Sequence, residues 1–266
     1  MDINQYYQKT AAAFFQVSWI ALMLAVLFFV LHAADLLPGN IIAITAPFIL
    51  LSIINMIGSR IYSNRSVEVI VKEDNTGIQL FEQKDILLAF MPAPTLRLLL
   101  FNPDGTFLGE IRDKNMKWFK WMIPNSLSFF LRKHYLLLNA SGEKLGEYYM
   151  KRGLQAVIHI KNGDGETVGH YEEILKDSLM KIKGMVFDRR GEPWIPVQIK
   201  RLSEFSLATA TQKQLAVYQK GWMPQDWQQR FKDPNTPILT FHENADSKEK
   251  LAVFAVCAAL FNHRSN

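Results

Sequence analysis

The residues Leu251 to Phe261 read LAVFAVCAALF, and they constrain this chain more than any other stretch. Cap candidates Asn244, Asp246 and Ser247 stand before them, so the pattern predicts a helix over about 247–262. That helix has no polar face, and a helix apolar all round must be buried on every side. At 1.5 Å per residue its apolar part spans roughly 16 Å, about half a bilayer, so its place is inside protein. Something hollow has to surround it. Leu251, Phe254, Ala255, Ala258 and Phe261 are its expected core residues, and its alanines are small enough to let a surrounding wall come close.

The preceding sequence offers that wall. From Ser66 onward, short apolar runs alternate with Gly, Asn and Asp, beginning with Val67 to Val71 and Ile78 to Phe81, which is the pattern of strands and turns. Four sites share one layout, in which an apolar run meets Asn or Asp, reaches Gly and re-enters an apolar run. They are Asn102-Pro103-Asp104-Gly105, Asn139-Ala140-Ser141-Gly142, Asn162-Gly163-Asp164-Gly165 and Asp188-Arg189-Arg190-Gly191. Asn, Asp and Gly supply the left-handed backbone of tight turns, so each site predicts a β-hairpin. The first three carry a second glycine four residues on, at Gly109, Gly146 and Gly169, which predicts a bulge or a close backbone approach. Four hairpins and a last strand over Ile238 to Phe241 would leave exposed edges unless the sheet closed, so a barrel is expected. Between Ser203 and Lys232 the pattern loosens around Trp222 and Trp227, and a helix bounded by Pro224 is the simplest expectation.

The expected fold class is therefore α+β and mostly β, a closed antiparallel barrel over 63–266 around a buried C-terminal helix. On this order, and on Phe254-Ala-Val-Cys-Ala-Ala-Leu-Phe-Asn262, the chain resembles the superfamily of tubby C-terminal domains, plant LURP-one-related proteins and phospholipid scramblases. The segment looks like the closing Phe-Ala-Ile-Cys-x-x-x-Phe-Asp of tubby domains, and the hairpins look like LURP-one strands. The resemblance implies a barrel with an axial helix and a binding role at acidic phosphoinositides. The chain departs from it in having an N-terminal hairpin of apolar helices and no acidic loop like the proposed calcium segment of scramblases.

The first sixty positions hold only Asp2, Lys9, Asp35 and Arg60 as formal charges. Uncharged runs at about 11–31 and 41–57 are long enough for transmembrane helices, joined through Asp35, Pro38 and Gly39 within a first domain of 1–62. A cleaved signal peptide fits the first run less well, because the run is too long and Lys9 alone precedes it. Lys9 before the first run, and Arg60, Arg65 and Lys72 after the second, place both termini and the barrel in the cytoplasm by the positive-inside rule, with the cell membrane the expected location. The whole formal +5 of the 266 residues then lies in 61–266.

Composition excludes several classes. With 49% hydrophobic residues and a single cysteine, Cys257, the chain is neither disordered nor built on disulfides or a cysteine-rich zinc site. The 6 histidines are scattered, so no metal is expected, and no cofactor. No nucleophile elbow, P-loop or metalloprotease histidine pair occurs. Gly163-Asp164-Gly165 precedes a strand rather than a helix, which makes it a turn rather than a phosphate loop. Glu172 and Glu173 read as a solvated strand edge, and no catalytic residue is assigned. The +5 is diffuse, and nucleic acid is not an expected partner.

The stretch from Lys114 to His134 interleaves cations with large rings. Lys114, Lys117, Trp118, Lys120, Trp121, Arg132 and Lys133 are the candidate lipid-headgroup or membrane-surface residues, since tryptophan settles at the headgroup level and each cation near an anionic surface gains about 1 kcal/mol. The weightier alternative is an insertion that covers one end of the barrel, because 12% aromatic residues must be buried somewhere. Lys181, Lys183, Arg189, Arg190, Lys200 and Arg201 form a second basic set. The expected function is a membrane-anchored, non-enzymatic binding or scaffolding module that reads anionic phospholipid or a membrane protein partner. Scramblase-like lipid movement is one alternative, although two helices with only Gln16, Ser18, Thr45, Ser52 and Asn55 as candidate polar residues offer little of a track. An unrecognised membrane-bound hydrolase is another.

Overall fold

The computed structural model describes residues 1–69, 79–115, 133–151, 157–174, 182–221 and 223–262. The chain divides into two compact units, Met1–Val71 and Lys72–Asn266.

The first unit is two antiparallel helices, α1 (Ile3–Ala33) and α2 (Ile41–Glu68), both long and apolar enough to cross a membrane. α1 begins ahead of its uncharged run because its cap, Asp2, lies further out, whereas α2 begins at its run after Asn40 and continues beyond it to Glu68. Asp2 accepts the Gln5 N–H at 2.7 Å to start α1, and Asn40 accepts the Ile42 N–H at 2.9 Å to start α2. Val67, expected in a strand, instead lies in the last turn of α2, which runs past position 62. Pro47 sits within α2, where it removes one helical hydrogen bond. The two helices pack through small and polar side chains. Ser18 Oγ donates to Ser52 O at 2.9 Å, Ser59 Oγ to Ala11 O at 2.9 Å, and the Phe14 ring lies against Gly58.

The second unit is one antiparallel sheet of 12 strands. In chain order these are β1 (Asp85–Phe90), β2 (Arg97–Phe101), β3 (Phe107–Asp113), β4 (Lys133–Asn139), β5 (Lys144–Lys151), β6 (Val157–Asn162), β7 (Thr167–Ile174), β8 (Ile182–Asp188), β9 (Pro193–Ile199), β10 (Glu204–Ala208), β11 (Gln214–Gln219) and β12 (Ile238–Phe241). Neighbours in the sheet follow chain order except that β12 lies between β11 and β1, which leaves β9 and β10 as the two edges. Those edges nearly close the barrel, with the Ala210 N–H donating to Trp194 O at 2.8 Å across the gap. Prolines at 193 and 196 on β9 suit an edge, where a missing N–H costs little.

Among the described residues five tight hairpins, not four, share one kind of turn. In each of the four expected turns the side-chain oxygen of Asn102, Asn139, Asn162 or Asp188 accepts the backbone N–H four residues on at 2.8 Å, and a glycine at positive φ closes the turn. The fifth, Thr209 to Gln212 between β10 and β11, makes the same bonds with Thr209 Oγ1 as acceptor at 3.1 Å and with Gln212 at φ 65 in the glycine's place. It lies in the segment where a helix was expected. That segment instead holds β10, β11 and a short 3₁₀ turn, Gln225–Gln229, that begins after Pro224. Ile78 to Phe81 was likewise expected as a strand, but Leu80–Glu82 is a 3₁₀ turn leading into β1.

Register explains the second glycines. Each return strand carries one extra residue, Leu108, Leu145, Val168, Trp194 or Leu215, so all five hairpins are bulged at the same place. Just after the bulge, Gly109, Gly146 and Gly169 pair with Asn139, Asn162 and Asp188, the residues that open the next hairpin's turn. A Cβ on Gly109 or Gly169 would come within 2.1 Å of the carbonyl oxygen of Leu138 or Phe187. The fourth hairpin has Ile195 there because β9 is an edge and no further turn crowds it.

The final helix, α3 (Ser247–Asn262), fills the barrel. Leu251, Phe254, Ala255, Ala258 and Phe261 are each at most 3% exposed, and they share one core with the inward side chains of the strands. Its start is held by a reciprocal capping box in which Glu249 N–H donates to Asp246 Oδ1 and Asp246 N–H to Glu249 Oε2, both at 2.8 Å. Glu249 also takes Lys213 Nζ at 2.7 Å, tying the helix to the strand that follows the fifth turn. Lys250 Nζ donates to Phe81 O at 2.5 Å and Gln83 O at 3.2 Å, and burial pushes its ammonium below the ordinary lysine value.

Candidate functional site

With α3 filling the lumen, the free surface of the barrel is its outside. Of the sequence-expected surface residues, Lys117, Trp118, Lys120, Trp121 and Arg132 lie outside the described residues, as do Phe119, Phe129 and Phe130. The two that flank them are placed differently. Lys114 follows β3, is half exposed, and lies 3.6 Å from Glu147. Lys133, the first residue of β4, is only 8% exposed and so presents little charge to a surface. Strand direction puts both at the end of the barrel away from the five turns. The chain enters the barrel at the turn end, where Lys84 lies beside Glu243 at 3.3 Å.

Two rows of outward side chains run across the strands near Lys114. Cross-strand register aligns Arg97, Arg112, Leu136, Glu147 and Lys161 on β2 to β6 in the first. Here Arg97 Nε and an Arg112 guanidinium nitrogen both hold Glu110, at 2.9 and 3.2 Å, so one carboxylate serves two guanidiniums. Glu147 is shared likewise by His134, Lys114 at 3.6 Å and Lys144 at 3.8 Å. Burial pushes the Glu147 carboxyl up, but the hydrogen bond to His134 and the charges of His134, Lys114 and Lys144 outweigh it and hold the group below the usual carboxylate range. Four Lys and Arg side chains therefore gather on two carboxylates.

The second row aligns His134, Tyr149, His159, His170 and Phe187 on five consecutive strands, β4 to β8. All five are half-buried. His134 meets Tyr149 edge-on at 5.7 Å, His159 lies 6.1 Å from His170, and His170 stacks on Phe187 at 4.9 Å. His170 Nε2 also reaches Glu172 at 3.3 Å. Nothing in the linear spacing of positions 134, 159 and 170 announces that bulged register will align them. Among the described residues no group of three or more metal-ligating side chains comes together.

The second basic set does not gather. Arg189 and Arg190 sit in the fourth turn, whereas Lys183, Lys200 and Arg201 belong to the far end of β8 and β9, and Lys181 lies outside the described residues.

The segment 223–237 is a cover rather than a free arm. Its Phe231 lies edge-on to Phe101 at 6.1 Å, and Arg230 binds Asp104 at 2.8 Å. Leu87, Leu99 and Phe101 alternate with inward residues and yet are fully buried, which marks the outer face of β1 and β2 as a second, smaller apolar patch.

These features define a nearly closed β-barrel wrapped on a hydrophobic helix, in a chain that also carries two membrane-length helices. The chain is similar in structure to an X-ray structure of a protein from Arabidopsis thaliana, with a TM-score of 0.30 and 10% identity over 66% of this chain and 90% of that one. No protein-family model matches the chain, and no curated protein matches it.

Proposed function

We propose that this chain is a membrane-anchored, non-enzymatic binding module of the tubby-like and LURP-one-like kind, whose barrel reads anionic phospholipid headgroups or a membrane protein on its outer surface. The observation that carries the reading is a cluster of cations: Arg97, Arg112, Lys114 and Lys144 crowd around Glu110 and Glu147 on one outer face of a barrel whose interior is already full. Such a face attracts phosphate at about 1 kcal/mol per cation near an anionic surface. The barrel wrapped on α3 and its Phe254-to-Asn262 segment support the tubby-like part of the reading.

The α1–α2 hairpin is the anchor. Tyr6, Tyr7 and Tyr62 stand with Lys9, Arg60 and Arg65 at the end where α1 begins and α2 finishes, with the Arg65 guanidinium 5.0 Å from the Tyr62 ring. Aromatic rings and cations together suit the cytoplasmic headgroup layer, which supports the reading of a cytoplasmic barrel at the cell membrane. Scramblase-like movement has less support. Ser18 and Ser52 bond to each other, and Thr45 and Asn55 donate to carbonyls of their own helix, so these polar groups make no track. For a hydrolase, His134 and Glu147 form a pair with no serine or cysteine bonded to it among the described residues.

The test is flotation of residues 66–266 with neutral and with anionic liposomes. Binding selective for anionic liposomes, lost on changing Lys114, Lys117 and Lys120 to Glu or Arg97 and Arg112 to Glu, is the expected result and tells which of the two sets carries it. Absence of flotation with either lipid removes the lipid reading and leaves the protein partner. Topology is tested by a cysteine at Leu36, which is 71% exposed in the loop after α1. It should be labelled from outside intact cells. Labelling only after lysis would invert the hairpin.

A further inference from the structure

Some polar groups of the anchor have nothing to bind, the Thr10 hydroxyl buried within the hairpin and the Gln16 side chain on its outer face among them. Gln16 lies on α1 about five residues inside the uncharged run that starts at Ala11, which places its carboxamide roughly 7 Å into the hydrocarbon at 1.5 Å per residue. It is exposed, and no hydrogen-bonding group of the described chain takes it up. Trp19, one turn on, is 45% exposed, and its indole N–H is equally without a partner. Ser18, at the same depth, behaves differently, since it turns to α2 and bonds Ser52. In lipid an unpaired amide is costly, and polar side chains inside membranes face another helix.

We propose that the face of α1 turned away from α2 is an interface with a second copy of this chain, in which the two Gln16 carboxamides hydrogen-bond across a two-fold axis. The occupant follows from chemistry. A carboxamide has both donors and an acceptor, so it is complementary to itself, and the same two-fold brings the unpaired Trp19 N–H towards the partner copy's amide oxygen. The geometry of the face agrees. Ala12, Gln16, Trp19, Met23, Val26 and Val30 follow the alternating four-and-three spacing of a helix–helix seam, and all six are exposed. Ala21 and Ala25, at 2% and 5% exposure, belong to the opposite stripe against α2. A single polar residue in an apolar seam sets register and partner number, which is the role this arrangement gives Gln16.

The proposal rests on the reading of α1 as a membrane helix. The test uses the full chain in phosphatidylcholine vesicles, labelled through a cysteine at Leu36 with donor and acceptor dyes. Energy transfer should fall on lipid dilution as a monomer–dimer equilibrium does. Gln16→Leu, which keeps an apolar helix intact, should weaken the dimer roughly three- to twentyfold, and Gln16→Asn should restore part of the loss. Oxidation should cross-link chains with cysteine at Ala12 or Met23 but not at Ala21. If the protein stays in the membrane through alkaline carbonate yet shows no transfer, or if Gln16→Leu dimerises as the parent does, the interface is wrong while the anchor stands. If carbonate extracts the chain, the anchor fails and the dimer with it.

Discussion

Gly146 on β5 and Leu251 on α3 lie so close that a Cβ on the glycine would fall 2.4 Å from the leucine Cδ1. Tyr148, two residues along the same strand, donates its hydroxyl to Leu251 O at 3.1 Å. The helix is thus seated against β5 by one missing side chain and one hydrogen bond. The close backbone approach expected of the second glycine is, at Gly146, an approach to the axial helix.

Gly146→Ala should cost about 1 kcal/mol, because the Leu251 tip can move within limits. Gly109→Ala and Gly169→Ala should cost more, about 3 kcal/mol, since each Cβ would strike a backbone carbonyl oxygen at 2.1 Å. Thermal unfolding of the detergent-solubilised chain checks the order. Equal losses at all three positions would mean that the sheet relaxes around the turns.

The fifth turn offers a gain. Gln212 holds φ 65 where the four related turns have glycine, a conformation that is strained for a residue with a Cβ. Gln212→Gly should therefore stabilise the barrel by about 0.5–1 kcal/mol, while Gly142→Ala at φ 83, with open space around it, should lose about 1 kcal/mol from backbone strain alone. Paired melting curves of the two variants settle the sign.

Ala255 has 0% exposure at the middle of α3. Ala255→Asp places an unpaired carboxylate among apolar side chains and should cost several kcal/mol, enough to abolish cooperative unfolding of the barrel. Circular dichroism with a melt is the measurement. A fully stable variant would show that the helix can leave the lumen.

Acid should loosen the face around Glu147. Its carboxyl is held low by His134, Lys114 and Lys144 against the upward push of burial. A lowered folded-state pKa means that the stabilisation is present above the unfolded value, about 4.3, and is lost as pH falls through the lower folded value. Glu147→Gln should remove that dependence, so parent and variant stabilities should converge as pH drops from 5 to 3. Parallel stability curves would refute the coupling.

Reading from the chain alone, the apolar length of Leu251 to Phe261 was enough to demand a hollow, and four Asn-or-Asp-to-Gly turns were enough to supply a wall. Both signals are local: hydrophobicity integrates over consecutive residues, and a tight turn needs its special backbone wherever it occurs. The fifth hairpin escaped because Thr209 and Gln212 replace Asn and Gly, so the bonds persist while the letters change.

The candidate surface was legible only in part. The basic and aromatic composition between Lys114 and His134 is visible in the chain, but the partnership of Lys114 and His134 with Glu147, and the burial of Lys133, depend on which residue of one strand faces which of the next. The sequence by itself determined the two membrane-length helices, the central helix and the hairpin turns, since each follows from consecutive side chains and backbone preference. Tertiary structure alone decided the rows Arg97 to Lys161 and His134 to Phe187, and the outward turn of Gln16. Those depend on register and facing, where one extra residue at a bulge moves every later side chain to the other side of the sheet.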